Sequence, residues 1–193
     1  MKFELFRFDK VTSTNDVAIS LIKNEQKVNG CVYADTQTEG RGTHGKKWIS
    51  MKGNLFTTIF FCLKENYPSF VEFSIINPII ISDVIRNFCK DVNIKLKYPN
   101  DIFMNGKKIS GVLQELITLK DKKFIIIGIG INILSNPNIY NAYKATNLQI
   151  ETKQKQEAID LVNFIIFSYE KFFVNLNSYN YINFKKKAES MSL

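Results

Sequence analysis

Histidine is nearly missing from this 193-residue chain, with His44 the only one. That excludes a His-rich metal site. It also leaves no Ser-His-Asp or Cys-His arrangement with a nameable orienting partner. Cysteine is scarce as well. Cys31, Cys62 and Cys89 are far apart and odd in number, which is neither a metal-knuckle spacing nor a disulfide framework. A reduced, cytoplasmic protein is the reading. No apolar run reaches about 18 residues, so no membrane span is expected. The start, Met1 to Phe8, lacks the apolar stretch of a secretory signal. Pro/Gly/Ser-rich linkers and internal repeats are absent too. Residues 1–193 are therefore read as one domain, long enough to bury a sizeable core.

What the chain has in excess is lysine, and its formal net charge is +8. Two accounts stay open: a nucleic-acid surface, or a general Lys/Asn/Ile bias that scatters charge without making a patch. Between them lies a phosphate-bearing substrate or an acidic protein partner. Paired acid/base carboxylates are not evident.

Residues 40–48, Gly-Arg-Gly-Thr-His-Gly-Lys-Lys-Trp, carry the most information. Three glycines bare the backbone, Arg41, Lys46 and Lys47 add charge, and Trp48 adds a flat surface. Such a loop suits an anionic, planar ligand such as a nucleotide or an acyl phosphate. The glycines fit G-x-G-x-x-G and G-x-x-x-x-G-K by accident, because both patterns must open a helix. Here Trp48-Ile49-Ser50 and Lys52-Gly53-Asn54 follow, and Lys47 stands where a phosphate-binding loop needs Ser or Thr. The dinucleotide and P-loop readings are rejected. The remaining alternatives are an anion-binding loop and a plain glycine turn in a hairpin.

The elements read coarsely as follows. Residues 3–8 alternate as a strand. Residues 12–16, rich in N-cap types, precede a helix with Val17, Ala18, Leu21 and Ile22 on one face. Strands follow at 31–36 and 54–63. A helix over 69–90 carries Phe73, Ile76, Ile80, Val84 and Phe88, with Pro78 as a kink or start. Residues 94–98 are extended, and Asn105-Gly106 marks a hairpin between 101–104 and 107–117. Residues 119–122 turn, and 123–133 form a β-branched central strand. Residues 136–150 read as loop and 153–175 as an amphipathic helix. The stretch from Asn175 is polar and aromatic, with no element assigned.

Three further motifs stand out. Tyr98-Pro99-Asn100-Asp101 is either ordinary turn chemistry or a pair of polar side chains presented between strands. Lys108 lies on a strand just before Ser110-Gly111. Gly128-x-Gly130-x-Asn132 interrupts an apolar strand, which suggests close approach of a backbone or ligand. The chemistry looks like charge positioning on phosphates, by Arg, Lys, Asn and a magnesium ion.

Taken in order, these blocks resemble the biotin protein ligases. Ser13-Thr14-Asn15, Gln37 to Trp48, Lys97 to Asp101, Lys108 to Glu115 and Gly128 to Asn132 follow that family's motifs. The resemblance covers roughly residues 8–175. It implies an α/β (α+β) domain, a mixed, largely antiparallel sheet flanked by helices. It implies activation of biotin by ATP to biotinyl-AMP, then transfer to a lysine of a biotin carboxyl carrier protein. By the same likeness Ser13, Thr14, Asn15, Gln37, Gly40, Arg41, Lys108, Gly111 and Gly130 surround biotin. Thr43, Lys46, Trp48, Lys97, Asn100 and Asn132 contact ATP, whose magnesium needs no dedicated protein cage. Lys108, Arg41 and Asp101 are the catalytic set, Asp101 orienting the incoming lysine.

Departures from the pattern sharpen the expectations. Thr43 and Lys46 stand where the family has arginines, and Tyr98 where it has Trp. The sequence stops at Leu193, short of a small C-terminal β-barrel, and shows no N-terminal DNA-binding domain, so no DNA partner is expected. A homodimer through sheet edges is possible by resemblance. Alternatives are a lipoate or octanoyl ligase or transferase, and a non-catalytic module that binds carrier protein or nucleic acid.

Overall fold

A computed structural model describes residues 1–89, 92–137 and 144–193. Seven strands form one sheet in the order β1-β2-β3-β7-β6-β5-β4. They are β1 (Leu5–Val11), β2 (Asn29–Gln37), β3 (Leu55–Cys62), β4 (Ile94–Lys97), β5 (Asp101–Met104), β6 (Lys107–Leu119) and β7 (Lys122–Ile131). Only β1 and β2 run parallel; the helix α1 (Thr14–Asn24) makes their crossover. Every other neighbouring pair is antiparallel. The expected mixed, largely antiparallel sheet is what forms.

Alternation along the central strands sorts the two faces. On β7, Ile125, Ile127, Ile129 and Ile131 enter the larger core beneath α2 (Phe70–Phe88) and α4 (Ala158–Val174). Phe124 and Ile126 point the other way, into a smaller cluster with Ala18, Leu21 and Ile22 of α1. On that second face the next two positions are Gly128 and Gly130. Bulky side chains stop there, and the sheet surface becomes a shallow floor.

Several expectations needed adjustment. Pro78 lies inside α2 rather than at its start. That helix begins at a capping box, in which the Ser69 hydroxyl accepts from the Glu72 N–H and Glu72 accepts from the Ser69 N–H. Part of the expected 136–150 loop, 138–143, lies outside the described residues, as does residue 90 at the expected end of α2. Within the same stretch α3 (Leu148–Thr152) forms, because the Asn147 side chain accepts from the Ile150 N–H at 2.9 Å. The helix expected over 153–175 starts later, at Ala158.

The stretch after Asn175 holds a helix, α5 (Tyr181–Ser190), capped by Asn180. Its buried stripe is sparse, with Ala188 and Met191 inside and Phe184 half in. The 3.6-residue signal is correspondingly faint. The last residues then pair with edge strand β4. Leu96 donates to the Met191 carbonyl at 2.7 Å, and Leu193 donates to the Leu96 carbonyl at 3.0 Å. Among the described residues, no helix is long and apolar enough to cross a membrane.

Candidate active site

The floor of the site follows from register. Asp101 opposes Gly111, and Gly111 opposes Gly130. Directly opposed residues share a face, so a carboxylate and two bare glycines line up across three strands. Next to them Gly128 opposes Leu113 on one side and Thr58 on the other.

Each glycine is required by a neighbour. A Cβ at Gly128 would lie 2.4 Å from Oδ1 of Asn15. One at Gly130 would lie 2.4 Å, and one at Gly111 2.9 Å, from the Trp48 ring. The close approach at Gly128-x-Gly130 is made by the side chains of Asn15 and Trp48, not by the backbone or ligand that the sequence suggests.

Lys108 reaches this face because β6 carries one extra residue. Ile102 opposes Ser110, yet Phe103 opposes Lys108. Without that bulge, alternation from Gly111 would turn Ile109 to the site and Lys108 to the core. With it, Ile109 is fully buried in the core and Lys108 joins Asp101 on the site face. A bulge that re-aims a side chain next to a site is a recurrent device. The Lys108 ammonium is 2.6 Å from Asp101 Oδ1, with both side chains largely buried. It also stands 5.6 Å from the centre of the Trp48 ring.

The basic loop folds over this floor. Gly42 donates to the Lys46 carbonyl at 2.7 Å, and Trp48 donates to the Gly40 carbonyl at 2.8 Å. The loop is thus a small hairpin tipped by a single turn, Thr43–Gly45, in which His44 and Gly45 have φ of 56° and 72°. The loop takes the hairpin form, and it places Arg41, Lys46 and Trp48 at the cleft. Gly40 is needed for its closure, since a Cβ there would meet the Trp48 carbonyl at 2.6 Å.

Arg41 makes the loop's strongest attachment. Nη1 and Nη2 donate to the two oxygens of Glu115 at 2.7 and 2.9 Å, and Nη2 donates to Asp16 at 2.8 Å. The hydrogen bond with Glu115, more than its charge, raises the already high pKa of Arg41. Its guanidinium is therefore held by protein carboxylates, beside the cleft. At the loop tip, Asn100 approaches the Thr43 hydroxyl at 3.5 Å and Asp101 at 3.3 Å.

The start of α1 supplies the opposite wall. Gln37 accepts from the Thr14 N–H at 2.8 Å and from its hydroxyl at 3.1 Å, and donates to Ser50 at 3.1 Å. Thr58 donates to Asn15 Oδ1 at 2.6 Å. Ser13, the N-cap residue, makes no capping side-chain bond. Asn132 spends its amide on the Thr146 carbonyl at 3.0 Å.

The cleft, open on one side, has a volume of about 360 Å³, the size of a small-ligand site. Of the residues expected in the site, Ser13, Thr14, Asn15, Gln37, Arg41, Thr43, Lys46, Trp48, Asn100, Asp101, Lys108, Gly111, Gly130 and Asn132 line it. Gly40 does not, being packed against the loop's own backbone. Lys97 does not either, and sits exposed on β4. Sequence reasoning missed Asp16, Thr58 and the role of Glu115. The signal for Glu115 was its even spacing from Gly111, which puts it on the same face of β6.

Among the described residues no three His, Cys, Asp or Glu side chains come together as a metal cage. Asp101, the carboxylate opposite Gly111, is already paired with Lys108.

A glycine-floored cleft, roofed by a basic hairpin and holding a re-aimed lysine, marks an α+β domain whose cleft has the dimensions of a small-ligand site. Residues 5–132 match the biotin/lipoate A/B protein ligase family, and this chain belongs to it. The bifunctional ligase/repressor BirA of Bacillus subtilis (strain 168) is 29% identical over 195 residues, 98% of this chain and 59% of that protein. The chain therefore spans under two thirds of that relative's length. Among solved structures it is similar to the biotin protein ligase of Leishmania major in complex with biotinyl-5-AMP. There the TM-score is 0.84 and the identity 26%, covering 98% of this chain and 81% of that one. It is also similar to the Aquifex aeolicus enzyme in complex with biotin and ATP. That match has a TM-score of 0.81 and 27% identity, covering 98% and 78%.

Proposed function

We propose that this protein activates biotin with ATP and transfers it to a lysine of a biotin carboxyl carrier protein. The observation that carries the reading is Lys108, turned by the bulge onto a glycine floor beneath the folded basic loop. A biotin carboxylate laid on that floor attacks the α-phosphorus of ATP and releases pyrophosphate. The carrier lysine then attacks the acyl carbon of the mixed anhydride and releases AMP. Lys108 exchanges its Asp101 partner for the anionic oxygens that develop in the first step. Asp101, shown able to hold an ammonium at 2.6 Å, then receives the incoming lysine.

The hairpin over the cleft keeps water from the anhydride. Ser13, Thr14, Asn15 and Gln37 supply the polar wall that reads the biotin rings, and Trp48 supplies the flat surface. Thr43, Lys46, Asn100 and Asn132 face the nucleotide side. Lys97 acts at most from outside the cleft. The donor set suits magnesium that arrives with the triphosphate, held by phosphate oxygens, where it neutralises charge. A cytoplasmic location agrees with three free cysteines. A homodimer would use the β1 edge, because residues 191–193 already pair with β4.

The test is direct. Incubation with biotin, magnesium-ATP and an isolated carrier domain is expected to give pyrophosphate and one biotinyl mass increment on the carrier. Absence of both products overturns the proposal. Because the family also includes lipoate ligases, thermal shifts with biotin and with lipoate should be compared. A shift with lipoate alone would reassign the acid.

A further inference from the structure

The polar cluster under the loop has a single hub. Glu115 accepts both terminal nitrogens of Arg41, at 2.7 and 2.9 Å, and its Oε2 also accepts from Asn15 Nδ2 at 2.6 Å. One carboxylate thus holds an arginine on the loop and a carboxamide on the cleft wall. The Asn15 Oδ1 is taken by the Thr58 hydroxyl at 2.6 Å, and Gly128 leaves it the necessary room. Asp16 also holds Arg41, at 2.8 Å, but through a more exposed side chain and with no bond to the floor.

We infer that Glu115 is a positioning residue that couples the seating of loop 40–48 to the orientation of Asn15. An ionised carboxylate is the side chain that serves both. Two oxygens meet the planar fork of Arg41, and their spare lone pairs take the Asn15 amide. A glutamine of the same shape carries one acceptor oxygen and turns N–H groups toward one of its donors. The carboxylate is also half-buried, so its pairing with Arg41 is less screened than a surface pair. What the coupling does to a ligand rests on the biotin reading above. The seating of the loop does not.

The experiment has two arms. In the first, ligand-free wild type, Glu115→Gln and Asp16→Asn are digested with limiting trypsin, which cuts after Arg41, Lys46 and Lys47. Cleavage of this kind tracks local opening. Glu115→Gln is expected to raise the cleavage rate in 41–47 about tenfold, and Asp16→Asn less than about threefold. Arg41→Gln provides a second variant, expected to open Lys46 and Lys47 by a similar factor.

In the second arm biotin is titrated calorimetrically. Glu115→Gln is expected to weaken binding about tenfold, with its ligand-free melting midpoint within about 3 °C of wild type. Wild-type cleavage rates in both Glu115→Gln and Arg41→Gln would overturn the inference. So would faster cleavage spread evenly over the chain with a lowered melting point, which marks a merely structural residue. Failure of wild type to bind biotin would sink the ligand assignment, and the tryptic comparison would still decide whether Glu115 seats the loop.

Discussion

The indole of Trp48 lies directly on the backbone of Gly130, so that a Cβ there would sit 2.4 Å from the ring. The ring is rigid, so the whole indole must move to relieve that contact. Gly130→Ala is therefore expected to lift the ring off the floor. Because Trp48 is the only tryptophan, its emission reports the change without a label. A red-shifted, more quenchable emission is expected, with biotin bound about five- to a hundred-fold more weakly, as for overpacking of about 1–3 kcal/mol. An unaltered spectrum would mean that the ring rests elsewhere.

Lys108→Ala removes the ammonium and strands Asp101. Breaking a largely buried pair costs ~3–5 kcal/mol. Adenylate formation should fall roughly a hundred- to a few thousand-fold, measured as pyrophosphate release. A loss smaller than about tenfold would take Lys108 out of the chemistry.

Thr43 lines the cleft, where its hydroxyl accepts from Asn100 at 3.5 Å. It is shorter than the arginine that the family's motif has there, and it offers no charge to the adenylate. Thr43→Arg is expected to slow dissociation of biotinyl-AMP, followed by filter binding after single-turnover synthesis. Matching off-rates for the two proteins would refute this.

Glu151 gives the fold an acid-sensitive clamp. Burial alone would raise its carboxyl. Hydrogen bonds from Thr146, Asn105 and Lys107, with the Lys107 charge, hold it below the usual carboxylate range. A pKa depressed by folding adds stability above the unfolded value, and that stability is lost as pH falls through the folded one. Glu151→Gln should lower stability by ~1–2 kcal/mol at neutral pH. The gap should close as pH drops through and below the ordinary glutamate range. Thermal melts across that range would show it, and a gap that widens on acidification would contradict it.

Thiol reactivity should be selective. Burial pushes the Cys31 thiol up to about 12, against a smaller opposing pull from its Thr57 contact. Burial, then the Glu151 charge, pushes Cys89 up to about 11. With thiolate the reactive form, brief alkylation of the native protein should mark half-buried Cys62 first. Peptide mass spectrometry that finds Cys31 labelled first would oppose this.

Much of the molecule could be read from local pattern. The β-branched run 123–133 and the Asn105-Gly106 turn located β7 and β6, and spacing of apolar residues located α1 and α2. α5 escaped because its buried stripe is only Phe184, Ala188 and Met191. α3 escaped because a single cap at Asn147 sets it. In the site, the glycine loop, Lys108 and the two strand glycines were legible as residue types that a plain strand or turn does not need. Glu115 was not, since a glutamate on a strand looks solvated until Arg41 arrives from 74 positions away.

The sequence by itself determined the two-faced strands, the order of the motifs and the residue types available to a ligand. These are short-range matters of periodicity, propensity and chemistry. Only the tertiary structure decided which way Lys108 points, through one extra residue between two paired strands. It also decided that Trp48 covers Gly111 and Gly130, and that Arg41 belongs to Glu115. Register and long-range contact set those outcomes, and no window of local sequence contains them.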